Sequence, residues 1–139
     1  MMDNEKCVHV LFVDDTLLFH TIFKTVVKQQ AGGIIVTYCN DGRVALEKLI
    51  ELTEQGNQPD VIVSDVDMPL MSGIELFETV KSREEFKSVP FMFQTSNSGD
   101  EEFEERLSEL AKRLGATYEL FAKEEYSTIL SLIKQYHCS

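Results

Sequence analysis

The sequence predicts an α/β fold, a doubly wound parallel sheet with helices on both faces, and three observations carry that reading. Short apolar runs alternate along the chain with longer segments whose apolar residues recur at helical spacing. The runs, of which Val61-Ile62-Val63 is the clearest, lack polar alternation, as expected of strands covered on both sides. Several of them run straight into acidic or hydroxyl residues, which places chemistry at the carboxyl ends of strands, the ligand-binding edge of an open parallel sheet. At 139 residues and 43% apolar content the chain has the size and the core for one domain, taken as residues 1–139.

The elements follow in order. Residues 7–13 form a first apolar run ending in Asp14 and Asp15. His9 within it reads as a hydrogen-bonded strand histidine, since no ligand pattern accompanies it. A helix is predicted from Thr16 to Gln30, with Leu18, Phe19, Ile22, Phe23, Val26 and Val27 on its apolar face and Gly32-Gly33 as its stop. Ile34 to Cys39 is the second strand. Asp41 then caps a second helix with Val44, Ala45, Leu46, Leu49 and Ile50 inward. After a polar loop from Thr53 to Pro59, the third strand leads into Asp65-Val66-Asp67-Met68-Pro69. Ser72 and Glu75 match a capping box and open a third helix through Lys81. Pro90 to Gln94 is the fourth strand, ending at Thr95-Ser96-Asn97. Ser98 and Glu101 form a second candidate capping box, before a helix with Phe103, Leu107, Leu110 and Leu114 as a narrow stripe. That helix carries its acids early and Lys112 and Arg113 late, which suits the helix dipole, and Gly115 ends it. Thr117 to Ala122 is the fifth strand, leading to Lys123, and a last helix runs from Glu124 to Tyr136.

Composition excludes several functions. The net charge of −11 argues against direct contact with nucleic acid, whose phosphates require Lys and Arg, and against anionic membranes. No apolar run approaches the roughly 20 residues of a membrane span, and residues 1–6 lack a signal pattern, so a cytoplasmic location is expected. Cys7, Cys39 and Cys138 show no metal-ligand spacing and read as free thiols, with Cys138 the candidate for a regulatory one.

If the strand ends share one edge, Asp14, Asp15, Asp65, Asp67, Thr95, Ser96 and Lys123 converge there from four strands. Crowded carboxylates repel unless a cation holds them, and an oxygen-rich acidic cluster suits Mg²⁺. Lys123 supplies an opposing point charge.

With these residues in place the chain, over residues 7–136, resembles a response-regulator receiver domain of two-component phosphorelay systems, the CheY-like fold with strand order 2-1-3-4-5. The family's adjacent acids are matched by Asp14 and Asp15, its phosphoacceptor by Asp65 with Met68, Pro69 and Gly73 downstream, its switch hydroxyl by Thr95 and its lysine by Lys123. The resemblance implies that Asp65 becomes an aspartyl phosphate, taking its phosphoryl group from a sensor histidine kinase, a histidine phosphotransfer protein or a small acyl phosphate. It implies Mg²⁺ on Asp15, Asp65 and the backbone carbonyl of Asp67, with Asp14 acting mainly through metal-bound water. It implies further that Thr95 moves to the phosphoryl group and biases the surface of helix four, strand five and helix five toward an unidentified output protein. Such a domain is a signalling phosphoacceptor rather than an enzyme, and a stand-alone regulator is expected rather than a module of a longer one.

Two positions depart from the family pattern. Glu124 stands where a proline, often in a cis bond, usually follows the lysine; a cis bond at a non-proline residue costs roughly 2.5–4 kcal/mol, so a trans bond is expected. Leu120 stands at the switch-aromatic position, with Tyr118 and Phe121 on either side of it. Two alternative readings are a degenerate receiver serving only as a binding module, and a haloacid-dehalogenase-type phosphatase built on Asp65-Val66-Asp67. The latter family places its motif on the first strand; here it follows the third.

Overall fold

The computed structural model describes residues 7–29, 32–96, 99–123 and 125–136. Strands β1 (Val8–Val13), β2 (Ile34–Cys39), β3 (Val61–Asp65), β4 (Phe91–Thr95) and β5 (Glu119–Ala122) form one parallel sheet in the order β2-β1-β3-β4-β5. Between and after them run α1 (Leu17–Lys28), α2 (Gly42–Glu54), α3 (Gly73–Lys81), α4 (Glu101–Leu114) and α5 (Tyr126–Ile133), with a closing 3₁₀ turn at Lys134–Tyr136. No described helix is long and apolar enough to cross a membrane.

Every residue of β3 and β4 is buried, which is why their sequences show no alternation. The alternation of side chains in space instead sorts them into two cores. Leu11, Val13, Ile62, Phe91 and Phe93 pack with α2, α3 and α4. Val10, Phe12, Val61, Val63 and Met92 pack with α1 and α5, where Phe12 stacks on Phe23 at 4.3 Å between ring centroids. By the same period of two, Asp14, Asp65 and Gln94, at or just past the strand ends, turn toward the α1 and α5 side.

Several local expectations hold. Asp41 accepts the Val44 N–H at 2.9 Å and caps α2. Ser72 and Glu75 make the full capping box of α3. Gly115 closes α4 with φ of 65°. His9 is satisfied by Thr37, its Nε2 lying 2.8 Å from the hydroxyl. Leu120 is half-buried against the aromatic core that contains Phe93, and Tyr118 meets the Phe93 ring nearly edge-on.

Other details differ. Leu18 and Ile22 are 58% and 36% exposed, because α1 meets the sheet through the narrower stripe of His20 and Phe23. Val44 is also exposed, since Ala45 and Leu49 take the sheet-facing positions of α2. The N-cap of α4 is Asp100, whose carboxylate accepts the N–H groups of Glu102 and Phe103. Two good caps stood two residues apart, and the acid takes the position; Ser98 lies outside the described residues. β5 is shorter than expected, starting at Glu119, and α5 starts at Tyr126. Gln30, Glu124 and Cys138 also lie outside the described residues, and so does the trans bond expected after Lys123.

Candidate functional site: an acidic pocket closed by a lysine

Strand register builds the site. Val13 is opposite Ser64 and Asp65 is opposite Gln94, so Asp14 emerges beside Asp65 on the central strands. Thr95 is opposite Ala122, which brings Lys123 to the same edge one residue later.

Asp14 is fully buried and fully used. Its N–H donates to the Cys39 carbonyl at 3.1 Å. Its Oδ1 accepts the Thr16 N–H at 2.9 Å. Its Oδ2 accepts from the Gln94 amide at 3.0 Å and from Lys123 Nζ at 3.2 Å. Its carbonyl accepts from His20 Nε2 at 2.6 Å, which fixes the proton on that ring nitrogen. Asp15, the next residue, is exposed, so one acid anchors the edge and the other faces water.

Asp65 is 4% exposed, and its Oδ1 accepts the N–H of Val66 at 2.8 Å. Its Oδ2 lies 3.2 Å from Lys123 Nζ, so one ammonium bridges Asp65 and Asp14. The Phe19 ring holds that ammonium from another side, 4.0 Å from its centroid. Behind Asp65 the turn is tight. Ser64 Oγ donates to the Asp65 carbonyl at 2.8 Å, and a Cβ on Gly73 would lie 2.0 Å from that oxygen. Only glycine allows the start of α3 to approach the strand this closely.

Electrostatics follow from burial. Asp65 is pushed up to about 6, first by burial and then by the charge of Asp14, against the opposing pull of Lys123 and the Val66 N–H. Burial also raises Asp14, opposed by the Thr16 N–H and by Lys123. Asp14, Asp15 and Asp65 each offer an oxygen, all within 4.8 Å of one another. An all-oxygen acidic set with one member facing solvent fits a hard divalent cation that keeps part of its water shell.

Four of the sequence-derived site residues meet in the structure. Asp14, Asp15, Asp65 and Lys123 share one pocket, Thr95 is buried at the end of β4 beside it, and Asp67 and Ser96 are exposed on the adjoining loops. Two neighbours were not legible as site residues. Gln94 carried a weak signal, a single polar residue closing an apolar run; His20 carried none, being one more residue of an amphipathic helix.

The response regulator receiver domain family matches residues 10–116. The chain belongs to that family. The match ends short of Lys123, but the likeness of fold continues past it: the chemotaxis response regulator CheY4 of Vibrio cholerae superposes with a TM-score of 0.69 at 29% identity, covering 92% of this chain and 99% of that one. The response regulator domain of Thermotoga maritima CheB superposes with the same TM-score of 0.69, covering 94% and 96%, and at 24% identity it attests to the fold alone. Among curated proteins, a protein-glutamate methylesterase/protein-glutamine glutaminase of Desulfotalea psychrophila is 30% identical over 111 residues, or 80% of this chain. The receiver spans only 28% of that relative's length.

Proposed function

We propose that this receiver accepts a phosphoryl group on Asp65 from a phosphohistidine or a small acyl phosphate and relays its state to an output partner. The observation that carries the reading is the single lysine ammonium held 3.2 Å from both Asp14 and Asp65, behind an exposed Asp15. A carboxylate oxygen of Asp65 attacks phosphorus, and the bond from phosphorus to the donor's nitrogen or oxygen breaks, its electron pair leaving with the donor. With Asp65 titrating at about 6, the nucleophile is mostly ionised at neutral pH. Mg²⁺ bound by Asp15, Asp65 and the Asp67 backbone carbonyl would neutralise the developing phosphoryl charge. Asp14 holds Lys123 in place and would help to hold the ion mainly through metal-bound water. Lys123 offers its charge to a phosphoryl oxygen. Thr95, at the junction of β4 and the following loop, takes the hydroxyl role that couples the site to the α4, β5 and α5 face. A cytoplasmic setting and a histidine kinase or phosphotransfer partner complete the proposal.

Incubation with acetyl phosphate and Mg²⁺, followed by intact-mass spectrometry, tests it against the alternatives. A receiver gains one phosphoryl group, and its amide resonances in α4, β5 and α5 shift; a phosphatase turns the donor over without an adduct; a binding module does neither. Either of the last two results sinks the proposal.

The metal reading makes its own prediction. A ligand that binds only the folded form stabilises it, so the thermal midpoint should rise at roughly millimolar Mg²⁺. Asp15→Ala removes the solvent-facing carboxylate and should abolish the rise. A mutant that keeps the wild-type response places the ion elsewhere.

A further inference from the structure

We propose that Gln94 is a positioning residue for phosphoryl transfer, its amide keeping the Asp14 carboxylate partnered so that Lys123 is free to turn to the phosphoryl group. The inference rests on Asp65 being the phosphoacceptor.

Gln94 is fully buried near the end of β4, opposite Asp65 in the register. A carboxylate only accepts hydrogen bonds, so the amide must present its nitrogen to Asp14, and it does so at 3.0 Å. The other end of the amide has no such use: Gln94 Oε1 is buried without a hydrogen-bond partner among the described residues. An unmatched carbonyl in a core is costly, and an apolar side chain of the same length would fill the position without that cost. What the glutamine contributes is therefore its nitrogen, and the nitrogen serves Asp14.

The need for it lies in how Lys123 is shared. Asp14 is 0% exposed, so water cannot replace a donor that leaves it. Its Oδ2 has two donors, Gln94 and Lys123. Lys123 also touches Asp65 and is the cation that a new phosphoryl group on Asp65 draws toward itself. Without Gln94, that movement strips Oδ2 of both donors and leaves a buried charge bare on one side, so Asp14 holds the lysine back. With Gln94 in place, the oxygen stays partnered throughout. The side chain is too deep to touch a phosphodonor, so its influence runs through Asp14 and Lys123 alone.

Gln94→Met keeps the length of the side chain and removes the donor, and Gln94→Leu serves as a second apolar replacement. With acetyl phosphate and Mg²⁺, the maximal phosphorylation rate of either variant should fall about tenfold, the scale of one lost hydrogen bond to a charged group. The donor concentration giving half that rate should stay near the wild-type value. In an Asp14→Asn background, where no carboxylate needs holding, Gln94→Met should change the residual rate little. Folded variants that match the wild-type rate, or the same tenfold loss in the Asp14→Asn background, would overturn the proposal while leaving Asp65 as the acceptor. A wild-type protein that takes up no phosphoryl group overturns the acceptor reading and this inference with it.

Discussion

Asp65→Asn is expected to melt at a higher temperature than the wild-type, metal-free protein at neutral pH. Asp65 titrates at about 6 in the folded protein, against an ordinary value of 3.8. Between those values the folded protein holds a proton that the unfolded chain has released. Stability therefore falls as pH rises from about 4 through about 6, and above that window the deficit is complete. Asparagine has the same shape and carries no charge in either state, so it escapes the deficit. A shift of this size corresponds to ~3 kcal/mol at neutral pH, or about 6–12 °C in melting temperature for a domain of this length. Melts in a chelating buffer at pH 7 and pH 4 check it: the gap should be open at the first and nearly closed at the second. A wild-type protein that melts at or above the variant at pH 7 contradicts it. The physical content is that the site is built for its chemistry rather than for the stability of the empty pocket, with two acids buried side by side under one lysine.

Lys123→Ala should slow phosphorylation by about 10²–10³-fold, the typical cost of removing one preorganised group from a developing charge. Two effects combine. The phosphoryl group loses its cation, and Asp65 loses the neighbour that opposes its protonation. The second effect has a separate signature. The pH of half-maximal rate should move upward in the variant, because burial and Asp14 then act on Asp65 with only the Val66 N–H to oppose them. Lys123→Arg should recover only part of the rate, since a planar fork does not reproduce a point charge seated on the Phe19 ring between two carboxylates. Rates measured across pH 5 to 8 decide the matter; a Lys123→Ala protein within a few-fold of wild type at every pH would show that the lysine is only structural.

The fold and the chemical residues were legible because they depend on local patterns. A short unbroken run of β-branched residues such as Val61-Ile62-Val63 reads as a strand covered on both faces, and an acid at its end then lies at the sheet edge. Gly73 was readable as part of the family pattern downstream of Asp65, although the reason for it, the closeness of the Asp65 carbonyl, appears only in three dimensions. What escaped was set by neighbours. Periodicity gives α1 an apolar face but not its width, so Leu18 and Ile22 look as internal as Phe23 until the packing of the helix is known. Ser98 and Asp100 are equally good caps by composition, and backbone geometry chose Asp100 for the described helix. Gln94 escaped because a polar residue closing a strand looks like the strand's end; only burial and the register with Asp65 show that it faces Asp14.

The role of Asp65 is tested most directly by the location of the phosphoryl group after exposure to acetyl phosphate and Mg²⁺. Wild-type protein should carry a single adduct on the peptide that contains Asp65, and Asp65→Asn, which keeps the shape of the site but cannot form an acyl phosphate, should carry none. An adduct on the Asp65→Asn protein at wild-type stoichiometry, or one mapped to another residue of the wild type, would contradict Asp65 as the phosphoacceptor.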